Sequence, residues 1–227
     1  LKHIACFSGG KDSLAMLLLI KERGLPLDKI IHVGIPKWEW EEVPRIIKKT
    51  EDIIGMEIIT IDIQEKINDD FEKYGFPNFK FRWCTGDKNQ AMRLYIRDNF
   101  GKDVKEYVGI AYDEIKRKPK AKRKITPLID YKITEKKALQ KCKDYGFDFG
   151  GIYNHHSHLN CWCCPLQRIG ELEYIYKKCP EKWEILKGMQ SRSEKTFRDK
   201  SIFELEERFI NGNSKAKKGI RAMDKKI

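Results

Sequence analysis

No apolar run in this chain approaches the roughly 18 residues that a membrane-spanning helix needs, so a helical membrane protein is not expected. No basic start, apolar middle and small-residue cleavage site marks a signal peptide. The chain starts at Leu1, almost inside its first strand, and a short leader is expected to precede it. No internal repeat is found. The seven cysteines lack the even spread of a secreted disulfide framework: their number is odd, and Cys161, Cys163 and Cys164 fall within four residues. That pattern points instead to metal binding or redox chemistry in a cytoplasmic protein.

What the sequence does contain is enough apolar material for a core: 41% of its 227 residues are hydrophobic. Lys and Arg outnumber Asp and Glu by 46 to 34, a net charge of +12. Such a balance favours nucleotides, nucleic acid or another anionic partner, although a solvated surface explains it too.

Strands alternate with helices along the first half. KHIACF (2–7), KIIHVGI (29–35), MEIITIDI (56–63) and EYVGIAY (106–112) read as strands; 13–23, 38–54 and 87–100 read as helices. Pro44 is tolerable only near a first turn. The expectation is α/β: a parallel twisted sheet with helices on both faces. After residue 112 come a basic loop (116–124), a short extended piece TPLID (126–130) and a helix over 135–145. Thr134 caps that helix and Gly146 ends it. Residues 146–167 read as irregular, 168–178 as a helix, and 181–211 as two more; the tail 213–227 is basic. The division is a nucleotide-binding α/β domain over 1–130 and a helical, cysteine-bearing part over 131–227.

The junction of the first strand and helix reads Ser8-Gly9-Gly10-Lys11-Asp12-Ser13. In an open α/β sheet, ligands bind at the carboxyl ends of strands. Gly9 and Gly10 let backbone approach an anion and adopt positive φ. The N–H groups of the loop and helix start would face that anion, with the helix dipole behind them. Lys11 adds charge, Ser8 and Ser13 add hydroxyls, and Asp12 suits a bridging Mg²⁺. The Walker spacing G-x-x-x-x-G-K-[ST] is absent. The bland alternative is a Gly-Gly turn with no ligand.

FRWCTGDKN (81–89) sets Arg82, Cys84 and Lys88 just before a helix, where a thiol is expected to have a lowered pKa. HLNCWCCPLQ (158–167) places Cys161 and Cys164 as C-x-x-C before a proline, a turn that lets two thiolates face one metal. A four-ligand site draws on Cys84, Cys161 and Cys164, with Cys163 or Cys179 as the fourth and Cys163 preferred. A helix over 168–178 would carry Cys179 about 16 Å away. Reduced cysteines in an aromatic core are the alternative. Cys6 and Cys142 read as small buried residues. His155, His156 and His158 could complete a zinc site or line a loop.

The SGGKDS loop resembles that of the PP-loop ATP pyrophosphatases, the adenine-nucleotide α-hydrolase-like superfamily. RWCTGDKNQAM, YVGIAYDEIKRK, TPLIDYKITEKKAL, GGIY and CWCCPLQRIGELEYIYKKCPEKWEIL are similar to its phosphoadenylyl-sulfate reductase-like branch, and to the uncharacterised, often phage-borne members of that branch. The resemblance implies a Rossmann-like fold, ATP and Mg²⁺, and cleavage between the α and β phosphates by Lys11, Asp12 and Ser13. It places adenine against backbone near Phe7, Val33, Gly34 and Ile35. It puts Gly109 at a close approach, and makes Arg82, Lys88 and Arg117 phosphate or sulfate ligands. Trp38 and Trp40 would stack on a base or cover the sheet edge. The C-terminal Glu-Cys-Gly-Leu-His motif of true sulfonucleotide reductases is absent, and the last 48 residues hold no cysteine. Relatives that pair the loop with an iron–sulfur cluster imply a [4Fe–4S] cluster on Cys84, Cys161, Cys163 and Cys164, with zinc as the alternative.

Three functions follow. The first is ATP-dependent adenylation of an acceptor with pyrophosphate release, linked to sulfur transfer. The second is thiol-dependent reduction of an adenylyl-sulfate, with Cys163 as nucleophile. The third is a non-enzymatic nucleotide or nucleic-acid-binding module using the basic runs 116–124 and 215–226.

Overall fold

The computed structural model describes residues 1–159 and 161–212. Five strands form one parallel sheet: β1 (Lys2–Phe7), β2 (Lys29–Gly34), β3 (Ile58–Asp62), β4 (Val104–Val108) and β5 (Lys124–Ile125), in the order β3-β2-β1-β4-β5. The α/β expectation therefore holds. β1 is central, with Phe7 opposite His32 on one side and Cys6 opposite Val108 on the other. The chain leaves β1 towards β2 but leaves β4 towards β5, so the loops after β1 and β4 part at the carboxyl edge, where ligands bind in such sheets.

Helix α1 (Lys11–Glu22) is apolar all round. Leu14 to Ile20 are all buried, as a helix with no solvent face must be. α2 (Val43–Ile54) starts later than the sequence suggests, with Pro44 in its first turn, and stops at Gly55, φ +78°. α3 (Gln64–Tyr74) was not expected from the sequence. α4 (Trp83–Phe100) begins four residues before the expected start, so Cys84 and Lys88 lie inside it rather than ahead of it. β4 ends at Val108, and the following YDEIKR (112–117) forms 3₁₀ turns instead of continuing as strand. TPLID is not extended: α5 (Pro127–Asp130) is one helical turn with proline at its start. α6 (Glu135–Asp144) is capped by the Thr134 hydroxyl, which accepts from Lys137 N–H, and Gly146 follows with φ +76°.

The chain divides into two compact units. Among the described residues, the first comprises Leu1–Ile67 and Cys84–Cys161; the second comprises Asn68–Trp83 and the chain from Trp162 to Gly212. This division differs from a cut at 130/131. α6 belongs with the sheet because its Ala138 and Cys142, both fully buried, join the core that surrounds α1. In the second unit α7 (Ile169–Lys178), α8 (Pro180–Arg192) and α9 (Ile202–Ile210) pack around Trp183, which is 1% exposed; its ring lies 5.4 Å from Tyr176 and 5.7 Å from Phe209. The two helices expected within 181–211 are thus present.

Candidate active site

The loop Ser8–Ser13 sits at the carboxyl end of β1 and runs into α1. Gly9 has φ +79°, and Gly10 precedes the first helical residue in extended conformation with no side-chain cap. The loop is held by its own hydroxyls. Ser13 Oγ donates to Gly10 O (3.0 Å), accepts from Ser8 N–H (3.1 Å) and lies 3.0 Å from Ser8 Oγ. A side chain on Gly109, just past β4, would put its Cβ 2.7 Å from Ser13 Cα and 2.8 Å from Ser13 N. Only glycine lets β4 come this close to the start of α1.

Lys11 is buried, and its ammonium donates to Asp12 Oδ2 and Glu135 Oε2, both at 2.8 Å. Burial alone would lower its pKa, but hydrogen bonds and charge from these two carboxylates outweigh that and raise it. Asp12 is shifted up, first by burial and further by Glu135 and Glu114, against the pull of Lys11. Its second oxygen, Oδ1, is buried with no hydrogen-bond partner. Lys11 thus faces an excess of carboxylate, and one carboxylate oxygen is unsatisfied. An Mg²⁺ ion fits that donor set.

Tyr153 completes the loop's surroundings. Its hydroxyl accepts the Lys11 backbone N–H at 2.8 Å, and burial pushes its own pKa up to about 12. It comes from a turn in which Phe149, Gly150 and Gly151 all have positive φ. Leu159 and Val43 lie against Gly9. Below α1, the Cys142 thiol donates to Lys11 O (3.3 Å), and burial pushes its pKa to about 12. Burial and Glu106 do the same to Cys6. Neither is a thiolate at neutral pH, consistent with a packing role.

A second polar group lies at the end of β2, beside Val33 and Gly34. His32, 1% exposed, faces Phe7 O through Nδ1 (3.1 Å) and Glu39 Oε2 through Nε2 (3.5 Å). Lys88 Nζ bonds Glu39 Oε1 at 3.1 Å. Burial would raise the Glu39 carboxyl, but His32 and Lys88 outweigh it and hold its pKa at about 2. Lys88, expected as a phosphate ligand, is therefore engaged with Glu39. Arg117 is exposed and paired with Glu114. Arg82 is exposed and belongs to the second unit. Trp40 is buried against His156, ring centroids 5.1 Å apart, which favours the covering role over stacking on a base.

Of the expected metal ligands, Cys84 and Cys161 belong to the first unit and Cys163 and Cys164 to the second. Cys163 is buried. Among the described residues no group of three or more His, Cys, Asp or Glu side chains is gathered to hold a metal ion. The basic loop 116–124 is largely exposed, while the run 215–226 lies outside the described residues. Among the described residues no helix is long and apolar enough to cross a membrane. Sequence reasoning missed Tyr153 and Glu135 as loop partners. Both lie in quoted segments, GGIY and TPLIDYKITEKKAL, yet over a hundred residues from Lys11, and no local pattern signals the contact.

Comparison with known proteins agrees with this architecture. The profile of the phosphoadenosine phosphosulfate reductase domain matches residues 2–135. An uncharacterised protein of Methanocaldococcus jannaschii is 29% identical over 206 residues, covering 80% of this chain; the chain spans 40% of that relative's length. The solved structure of the U34-tRNA thiolase NcsA of Methanococcus maripaludis, with its [4Fe–4S] cluster, superposes with a TM-score of 0.50 at 18% identity. The match covers 84% of this chain and 71% of that one, a likeness of fold.

Proposed function

The chain belongs to the phosphoadenosine phosphosulfate reductase domain family, and on that footing we propose that it is an ATP-dependent adenylating enzyme. One observation carries the reading: a glycine loop at a helix start sets a buried lysine beside a carboxylate with an unpartnered oxygen. The β- and γ-phosphates of ATP would lie along Ser8–Ser13, with loop amides and the helix dipole opposing their charge. Lys11 would exchange part of its contact with Asp12 and Glu135 for phosphate oxygen. Mg²⁺ held by Asp12 Oδ1 would offset charge on the pyrophosphate. An acceptor oxygen attacks the α-phosphorus, the bond from that phosphorus to the α–β bridging oxygen breaks, and the electron pair leaves with pyrophosphate. The adenylated acceptor is then open to displacement, including by sulfur.

The cysteines form the second part of the proposal. Four thiolates suit an iron–sulfur cluster chemically, but no gathered metal group supports it among the described residues, and adenylation needs none. Reduction of an adenylyl-sulfate finds less support, because its candidate nucleophile, Cys163, is 3% exposed. The test is to incubate the protein with ATP and Mg²⁺ and separate the products. Pyrophosphate without orthophosphate is expected; orthophosphate alone, or sulfite from adenylyl-sulfate and a thiol, would overturn the reading.

A further inference from the structure

The second unit contains a cavity of about 660 Å³ that the phosphate loop does not use. Its floor is aromatic. Phe76 and Phe197, 3% and 1% exposed, meet edge to face with centroids 5.0 Å apart. On its rim stands Phe79, 80% exposed, more than any other large hydrophobic side chain among the described residues. A turn fixes it there: Asn78 Oδ1 accepts the N–H of both Lys80 and Phe81 at 2.9 Å, and Asn78 N–H donates to Phe81 O. One exposed ring on a surface is ordinary. A ring held on a fixed turn above an aromatic floor is a platform.

The charge near it has a sign. Lys195 and Arg198 line the cavity, and Lys80 and Arg82 follow Phe79 in the chain. Lys80, Arg82 and Lys195 are exposed and make no ion pair with any described residue, and Arg198 is anchored to Gln167 O at 2.8 Å. Against these four cations stand Glu194 and Asp199, the latter paired with Arg198. Aromatic and cationic side chains alternate along Phe79-Lys80-Phe81-Arg82. An occupant must offer a flat face to Phe79 and negative charge to the rim. Unpaired bases on a phosphodiester backbone offer both at every residue; a duplex hides the faces and a peptide of acidic residues alone lacks them.

We propose that the second unit binds single-stranded nucleic acid, one base stacking on Phe79 over this cavity and the flanking phosphates meeting Lys80, Arg82 and Lys195. The claim stands apart from the chemistry of the phosphate loop, and its test contains no ATP. Fluorescence anisotropy of the full chain would be followed with labelled 12-nucleotide oligo(U) and oligo(dT), and with a 12-base-pair duplex. At least one single strand is expected to bind more tightly than the duplex. Phe79→Ala should weaken binding about 5- to 150-fold, the span for loss of one base–aromatic stack, while Phe79→Trp keeps it. Lys80→Gln, Arg82→Gln and Lys195→Gln should each lower the slope of log K against log salt by about 0.7. An unchanged melting temperature for Phe79→Ala, expected of so exposed a ring, separates lost binding from lost fold. Wild-type affinity in Phe79→Ala would assign binding to another surface, such as 116–124, and overturn the proposal. So would absence of binding, equal affinity for duplex, or equal competition by poly-glutamate.

Discussion

Lys11 is the residue on which the loop's electrostatics turn. It is one buried cation between Asp12 and Glu135, so removing it costs twice: the proposed phosphate ligand is lost and two carboxylates face each other unopposed. Lys11→Met is expected to lower pyrophosphate release by about 10²–10³-fold, the usual effect of losing one charge-stabilising donor, measured at saturating Mg²⁺. Gly109→Ala tests packing at the same place. Its Cβ would meet Ser13 backbone, which cannot rotate away, so a loss of about 1–3 kcal/mol is expected, read in urea unfolding, together with weaker ATP binding. Tyr153 poses a different question, because its hydroxyl holds an amide that a phosphate would claim. Tyr153→Phe should cost about 1 kcal/mol of stability without weakening ATP affinity in calorimetry. Weakened affinity would mean that the hydroxyl stays on the Lys11 amide when nucleotide is bound.

Between elements, Glu39 joins the end of β2 to α4 through His32 and Lys88. Its folded pKa, about 2, lies below the ordinary 4.5. The stabilisation it gives is therefore complete above about 4.5 and is lost as pH falls from there towards 2. Glu39→Gln is expected to cost about 3 kcal/mol at neutral pH and to flatten the acid limb of stability between those values, measured by urea unfolding at pH 7, 4 and 3. This network also shows where sequence reading stops. The strand–loop–helix of Ser8–Ser13 is legible because all of its parts are local: small residues, a strand before, an apolar helix after. Lys88 reads as a free cation because its partner is 49 residues away. α3 escapes notice because its core contacts are few, Ile67 and Phe71 among mostly charged neighbours. TPLID looks extended because a single helical turn is too short to show a period.

At the scale of the whole chain, the sequence suggests a boundary near residue 130, where strands give way to helices. The compact units instead follow contacts, and these bring α6 onto α1 and residues 68–83 into the second unit. Hydrophobic patterning reports which residues seek burial, not which distant segment buries them. The four cysteines that the sequence suggests for a four-iron cluster fall in different units, Cys84 and Cys161 in the first and Cys163 and Cys164 in the second, and no gathered metal group is found among the described residues. Iron and sulfide analysis of protein purified without oxygen tests the cluster: about four of each per chain would support it, and neither would remove it. One zinc and no iron would make the cysteine site structural.

The second unit's two segments are also separated in time. During synthesis, residues 68–83 leave the ribosome roughly eighty residues before Trp162. At roughly 5–20 residues per second that interval is about 4–16 s. Phe76 and Trp83, 3% and 6% exposed in the finished protein, have no completed unit to enter for its whole length. The nascent chain therefore displays an aromatic segment for seconds, long enough for a chaperone to find it.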